Sequence, residues 1–96
     1  MIILNVTYKC KPGMREAFLK RIMTEGIDAA SRAEAGNIMY DYYIPVDGSD
    51  DLFLLEKWHD DKALAEHGKQ PYLAKLKEVK PEFVIDTIIE RYDSQE

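Results

Sequence analysis

Four segments of the chain have the composition and periodicity of β-strands, and their order restricts the possible folds more than any other feature. Each is rich in β-branched, aromatic or other large apolar residues and is bounded by turn or helix-capping residues. The segments are residues 1–8, 37–44, 52–58 and 83–92. The second and third are joined by residues 45–50 (Pro-Val-Asp-Gly-Ser-Asp), which predict a hairpin turn.

The interval after the first strand has a helical pattern. Met14, Phe18 and Ile22 recur every four residues, and charged residues occupy the opposite side. This pattern predicts an amphipathic helix over residues 14–33 that packs one stripe on a core. Gly36 follows it and suits the left-handed conformation that often closes a helix.

Two shorter helices are predicted before the last strand, at residues 62–68 and 71–79. The resulting order is β-α-β-β-α-β, with the second helix broken. This order predicts an α+β fold of the ferredoxin-like type, in which helices cover one face of a four-stranded antiparallel sheet. We expect one domain over residues 1–96, because the chain is too short for two.

The third and fourth strands carry apolar side chains at successive positions, so both faces of the sheet are expected to be dry. In the third strand, Leu52 and Leu54 fall on one face and Phe53 and Leu55 on the other. In the fourth strand, Phe83, Ile85 and Ile89 fall on one face and Val84 and Ile88 on the other. Antiparallel strands with one solvated face normally alternate apolar and polar residues. Because helices can cover only one face, the sequence predicts a homodimer in which a second copy covers the other.

Composition excludes several classes of partner. Hydrophobic residues make up 46% of the chain, which suits a globular domain, and the net charge is −5 without a basic cluster. Nucleic acid and anionic membranes are therefore not expected as partners.

Cys10 is the only cysteine, which we interpret as a reduced thiol. No leader-like segment and no apolar run of about 20 residues is visible, so a soluble, cytoplasmic protein is expected.

Motifs that would indicate a bound cofactor or metal are missing from the sequence. It contains no glycine-rich phosphate loop, no metal-type spacing of His, Cys, Asp and Glu, and no nucleophile elbow. The sequence therefore predicts neither a cofactor nor a metal, and it argues against nucleotide-dependent, zinc-dependent and serine-nucleophile enzymes.

His67 is the polar residue with the most informative position. It follows Ala63 by four residues and Leu64 by three, so it shares their inward stripe. A histidine there could act as a base or bind a ligand. A half-buried histidine bonded to backbone explains the same pattern equally well. His59 is expected at the surface.

Other polar groups also lie in apolar surroundings. Glu56 and Trp58 share a strand face with two leucines, so Glu56 is expected either to pair with a cation, with Arg91 as the candidate, or to serve a site. Asn5 needs a hydrogen-bond partner if it is buried. Tyrosines, including Tyr40 and Tyr72, could line an aromatic cavity or mark a dimer interface.

Several of these segments together resemble the antibiotic biosynthesis monooxygenase family over nearly the full chain. In order, they are residues 11–13 (Lys-Pro-Gly) before a helix containing Phe18, residues 31–36 (Ser-Arg-Ala-Glu-Ala-Gly) leading to Tyr40, residues 55–58 (Leu-Glu-Lys-Trp), residues 61–67 (Asp-Lys-Ala-Leu-Ala-Glu-His) and residues 71–73 (Pro-Tyr-Leu). The resemblance implies a dimeric ferredoxin-like barrel with a pocket between sheet and helices. Well-studied members oxygenate electron-rich aromatic polyketides or quinols with O2 and without metal, flavin or another cofactor.

The resemblance also implies roles for individual residues. His67 would be the catalytic base or hydrogen-bond partner. Trp58 and Tyr72 would frame an aromatic substrate, while Asn5, Tyr40 and Glu56 would orient its polar groups. The expected partners are thus a small aromatic molecule and O2.

The chain departs from the family pattern at one position. Many relatives carry a histidine just after the proline, where this chain has Tyr72, a poor base at neutral pH. Haem-degrading relatives share the fold and an asparagine that Asn5 matches, but residues 72–79 lack their iron-binding histidine, which argues against haem degradation. A small-metabolite isomerase or processing enzyme, or a binding protein without turnover, is the alternative on the same dimeric fold.

Overall fold

The computed structural model describes residues 1–95 and confirms the predicted fold class. The helices and strands are β1 (Ile2–Cys10), α1 (Arg15–Thr24), α2 (Ile27–Arg32), β2 (Asn37–Tyr43), β3 (Asp51–Trp58), α3 (Asp61–Gly68), α4 (Pro71–Val79) and β4 (Val84–Asp93), with a short 3-10 turn at Lys80–Glu82. The four strands form one antiparallel sheet in the order β2-β3-β1-β4. This is the ferredoxin-like arrangement. Within residues 1–95, no helix is long and apolar enough to cross a bilayer.

The first helical segment is divided in two, where a single helix over residues 14–33 was predicted. Gly26 has a φ of 71°, a left-handed conformation that only glycine adopts without strain. Its N–H donates to the carbonyl of Met23, and its own carbonyl accepts from Ala30 in the first turn of α2. The glycine therefore ends α1 and lets the chain change direction before α2 begins.

The face of the sheet that packs against the helices, called the inner face here, carries the core. Leu52 and Leu54 of β3 and Phe18 and Ile22 of α1 are fully buried. The ring of Phe18 packs against Tyr8 of β1, with centroids 5.1 Å apart in an edge-to-face arrangement. The predicted amphipathic stripe of α1 is therefore the stripe that covers the sheet.

The opposite face of the sheet, called the outer face, carries the alternate residues of each strand. Thr7 pairs with Phe53 on one side and with Ile88 on the other, so these three side chains lie together on it. Tyr43, Ile88 and Tyr92 on this face are 49%, 43% and 51% exposed. Large apolar side chains therefore remain partly uncovered there, as the strand patterns predicted.

The predicted faces of the fourth strand need a correction. The pairing of β1 with β4 shifts between Lys9 and Cys10, so Ile85 is an extra residue in a bulge. The bulge reverses the alternation, and Val84 and Ile88 point to opposite faces rather than to the same one. Phe83 precedes the strand and is buried in the core.

Candidate functional site

His67 points inward from α3 onto the inner face of the sheet. The helix begins at Asp61, and the side chain of the preceding Asp60 accepts the N–H of Ala63 at 2.8 Å as an N-cap. Two turns later His67 is only 4% exposed, although it is polar. The helical spacing with Ala63 therefore predicted its direction correctly, while His59 lies at the surface, as expected.

Two residues of β3 lie directly beneath the imidazole. The ring centroids of His67 and Trp58 are 4.3 Å apart with planes inclined by 34°, which is a tilted stack. The indole N–H of Trp58 donates to Oε1 of Glu56 at 3.0 Å. Trp58 is completely buried and Glu56 is 6% exposed, so a carboxyl group and an imidazole share an enclosed aromatic environment.

Glu34, which no sequence pattern singled out, completes this group. Its Oε2 lies 2.6 Å from Nδ1 of His67 and also accepts the hydroxyl of Tyr72. On the other side of the ring, Nε2 of His67 lies 3.7 Å from Oε1 of Glu56. The imidazole is therefore held between two carboxyl groups. We call Glu34, Glu56, Trp58, His67 and Tyr72 the His67 cluster.

The turn after α2 places Glu34 against α3. The N–H of Glu34 donates to the carbonyl of Ser31 at 3.2 Å, and its carbonyl accepts from Asn37 at 3.0 Å. Gly36 then approaches α3 so closely that a Cβ added there would lie 2.3 Å from the Cβ of Ala63. Gly36 does not adopt the predicted left-handed conformation, so glycine is needed here for close approach and not for its φ angle.

The hypothesis of a Glu56–Arg91 ion pair is wrong. Leu4 of β1 pairs with Glu56 on one side and with Arg91 on the other, so β1 separates the two side chains. Arg91 instead pairs with Asp61 at 2.5 Å and with Asp93 at 3.1 Å. Within residues 1–95, no lysine or arginine forms an ion pair with Glu34 or Glu56.

Burial changes the proton affinity of two groups in the cluster. Burial raises the pKa of Glu56 above its usual value, although the Trp58 hydrogen bond and the nearby His67 act in the opposite direction. The pKa of Tyr72 is also raised, first by burial and then by its hydrogen bond to Glu34. Tyr72 therefore remains a protonated hydrogen-bond donor at neutral pH.

The structure brings together five of the six residues predicted from the sequence. Tyr40 is 1% exposed on the inner face, and its ring lies 5.7 Å from that of His67. Asn5 does not join them, since it lies on the outer face between Leu55 and Glu90. There it lines a cavity of about 230 Å³ with Tyr43, Phe53 and Leu55.

A groove of about 360 Å³ lies on the surface beside the cluster. Its walls include Gly36 and Ala63 at their point of close approach, together with Glu34 and Gln70. Glu34 is thus the cluster residue that also lines the groove. No group of three or more His, Cys, Asp or Glu side chains suited to a metal ion occurs in the described part of the chain.

Comparison with known proteins assigns this chain to a family. The model of the antibiotic biosynthesis monooxygenase family matches residues 1–79, and the chain belongs to this family. The protein named "Putative monooxygenase YcnE" from Bacillus subtilis is 37% identical over 83 residues, which covers 82% of this chain and 85% of the relative.

Solved structures of similar proteins agree on the fold. The crystal structure of PA3566 from Pseudomonas aeruginosa has a TM-score of 0.86 and is 25% identical, with 99% of this chain and 94% of that chain covered. Protein SO0527 from Shewanella oneidensis has a TM-score of 0.83 and is 27% identical, with 95% and 87% covered.

Proposed function

We propose that this protein is a cofactor-independent monooxygenase that oxidises a small phenolic or quinol substrate with O2, with His67 as the base. The observation that carries the proposal is the His67 cluster itself. A buried imidazole is stacked on Trp58 and flanked by two carboxyl groups, in a member of a monooxygenase family. A buried imidazole in contact with carboxyl groups is typical of sites that transfer protons.

Proton removal is the step for which the cluster is suited. Loss of the phenolic proton makes the aromatic ring a stronger electron donor towards O2, and an imidazole accepts such a proton near neutral pH. One oxygen atom enters the substrate, and the other leaves as water with two hydrogens of the substrate. His67 and Trp58 would exclude water around the anion, since they are 4% and 0% exposed.

The charges of the cluster favour a neutral substrate. Glu34 and Glu56 lie on opposite sides of the imidazole, and neither is paired with a lysine or arginine within residues 1–95. A carboxylate or phosphate on the substrate would be repelled at such a site, whereas hydroxyl groups would find hydrogen-bond acceptors. A phenol or quinol without an acidic substituent fits these requirements.

The assembly that we propose is a homodimer formed through the outer face of the sheet. Tyr43, Ile88 and Tyr92 on this face are 43–51% exposed in the single chain. Covering a large apolar side chain contributes about 1.5–3 kcal/mol, so a second copy seated on this face would add substantial stability. The contact would be symmetric, with the same face used by both chains.

Oxygen consumption tests the proposed activity. Uptake is measured with a panel of reduced naphthoquinols and phenols, for the wild type and for His67→Phe and His67→Ala. His67→Phe retains an aromatic ring over Trp58 but has no basic nitrogen, so it separates the chemistry from the packing. We expect uptake above autoxidation for the wild type and a loss of about 10²–10⁴-fold in both folded variants.

Isotopically labelled O2 distinguishes oxygenation from the alternative functions. A monooxygenase incorporates one labelled atom into the product, whereas an isomerase or processing enzyme changes the substrate without incorporating label. Uptake no faster than autoxidation across the panel would contradict the proposal and favour the isomerase or the binding protein.

A further inference from the structure

We propose that Glu34 is a positioning residue for His67: it holds the imidazole with the proton on Nδ1, leaves Nε2 free to accept a proton, and connects the buried ring to the groove. The effect on turnover rests on the proposed function. The effect on the imidazole does not, and it is measured separately below.

The two nitrogens of His67 have different surroundings. Nδ1 lies 2.6 Å from Oε2 of Glu34, which is hydrogen-bond distance, whereas Nε2 lies 3.7 Å from Oε1 of Glu56, which is beyond it. A neutral imidazole carries one N–H, and an ionised carboxylate can only accept. The proton therefore belongs on Nδ1, and the lone pair of Nε2 faces the interior on the side of Glu56 and Trp58.

A second donor fixes the accepting oxygen of Glu34. The hydroxyl of Tyr72 donates to the same Oε2 that contacts His67. Two donors on one oxygen restrict rotation of the carboxyl group. The backbone of Glu34 is held as well, since its N–H bonds to Ser31 and its carbonyl to Asn37. The Glu34 side chain is thus held both at its backbone and at its carboxyl group, which fixes the position of the acceptor for the imidazole.

Glu34 also offers a route for the proton that His67 would receive. The side chain of His67 is 6% exposed and that of Glu34 is 13% exposed, and Glu34 lines the groove. When a substrate hydroxyl transfers its proton to Nε2, the proton on Nδ1 can pass to Oε2 of Glu34 and from there to water in the groove. The imidazole is then neutral with its proton on Nε2, and the cycle closes when Nε2 gives that proton to the oxygen atom that leaves as water and Nδ1 is reprotonated from the groove through Glu34. No redox partner is needed for these transfers.

A purely structural role for Glu34 makes a different prediction. If Glu34 only attached the turn at Gly36 to α3, its removal would lower stability without changing the proton position in a folded variant. The titratable groups facing the imidazole are Glu34 from the turn, Glu56 from β3, Tyr40 from β2 and Tyr72 from α4. Without Glu34, Glu56 is the carboxyl group left to accept an N–H from the imidazole.

Nitrogen NMR of protein labelled at the histidine rings tests the proposal directly. The signals of His67 are assigned by their loss in His67→Phe, and each ring nitrogen is identified as protonated or bare. We expect Nδ1 protonated in the wild type and the proton moved to Nε2, facing Glu56, in Glu34→Ala. Glu78→Ala, which removes an exposed carboxylate from α4, is the matched control and should leave the wild-type pattern.

The outcomes separate this proposal from the proposed function. An unchanged proton position in folded Glu34→Ala, or a His67 protonated on both nitrogens at neutral pH in the wild type, would overturn the positioning role. If Glu34→Ala does not fold, the wild type alone still tests the proposal, because a proton on Nε2 and not on Nδ1 in the wild type would overturn it. If the wild type turns over a quinol, Glu34→Ala should lose about 10²–10⁴-fold in kcat with a smaller change in KM. A moved proton in a protein without oxygenase activity would preserve the positioning role and reject the proposed function.

Discussion

The imidazole of His67 and the indole of Trp58 are stacked 4.3 Å apart, and the indole N–H bonds to Glu56 and not to the imidazole. Trp58 thus makes two contacts at once, because its face stacks on the imidazole and its edge donates a hydrogen bond to a buried carboxyl group. The behaviour of Glu56 with pH follows from this arrangement.

Replacing Glu56 by glutamine should change how stability depends on pH. Burial raises the pKa of native Glu56 above its usual value of 4.5, so the native state holds this proton to higher pH than the unfolded chain does. The stabilisation that this more tightly held proton gives the native wild type is therefore lost as the pH rises from 4.5 through the native pKa of Glu56. Glutamine still accepts from Trp58 and has no charge, so Glu56→Gln should be more stable at neutral pH, on the order of 1 kcal/mol.

Urea unfolding over a pH series measures this difference. The stability curves of the wild type and Glu56→Gln should converge below pH 4.5, where the carboxyl group is protonated in both native and unfolded states. A variant that is less stable than the wild type at neutral pH would show that the contact with His67 outweighs the burial of the charge.

Adding a methyl group at Gly36 should separate the turn from α3. The new Cβ would lie 2.3 Å from the Cβ of Ala63, so the turn or the helix must move. We expect Gly36→Ala to lower the free energy of unfolding by about 1–3 kcal/mol and to weaken the Glu34–His67 contact. Gly68→Ala is the matched control, because nothing lies within 4 Å of its added Cβ and alanine favours the helix. Equal stability of the two variants would contradict the close approach.

A charge on the outer face should prevent the proposed dimer. Ile88 is 43% exposed on this face, and an aspartate there would be buried without a partner in the interface. Light scattering should give a mass of two chains for the wild type and of one chain for Ile88→Asp. Met23→Asp, at a 59% exposed position on α1, should remain dimeric. A wild type of one-chain mass at micromolar concentration would reject the assembly.

A negative charge on the substrate should slow turnover. A quinol and a matched analogue carrying a carboxylate can be compared by kcat/KM. Because Glu34 and Glu56 form no ion pair with lysine or arginine within residues 1–95, we expect the analogue to be slower by at least about tenfold, which corresponds to roughly 1.4 kcal/mol of repulsion. Equal rates for the two compounds would show that the acidic group stays away from the cluster.

Periodicity predicted the parts of the site that lie on regular elements. The alternation of β3 placed Glu56 and Trp58 on one face, and the helical stripe of α3 pointed His67 towards them. Glu34 could not be found in this way, because its contact with His67 spans 33 positions and depends on a close approach at Gly36. Residues 31–36, one of the segments that resemble the family, contain Glu34, but no spacing rule connects Glu34 to α3.

The remaining differences also have local causes. The left-handed Gly26 divides a helix whose apolar pattern continues across the break, and the bulge at Ile85 reverses an alternation that looks regular in the sequence. Asn5 shows the limit of the resemblance. The structure places it on the outer face between Leu55 and Glu90, although the family resemblance suggested a place in the site.

The alternation of β3 gives this short strand two separate tasks. Leu54, Glu56 and Trp58 face the imidazole side, whereas Phe53 and Leu55 face the side where a second copy would sit. Neighbouring residues of β3 therefore contact different surroundings, and a substitution at one position need not disturb the next. Along this strand, substitutions at even positions would therefore act on the surroundings of the imidazole, and substitutions at odd positions on the proposed contact between two copies.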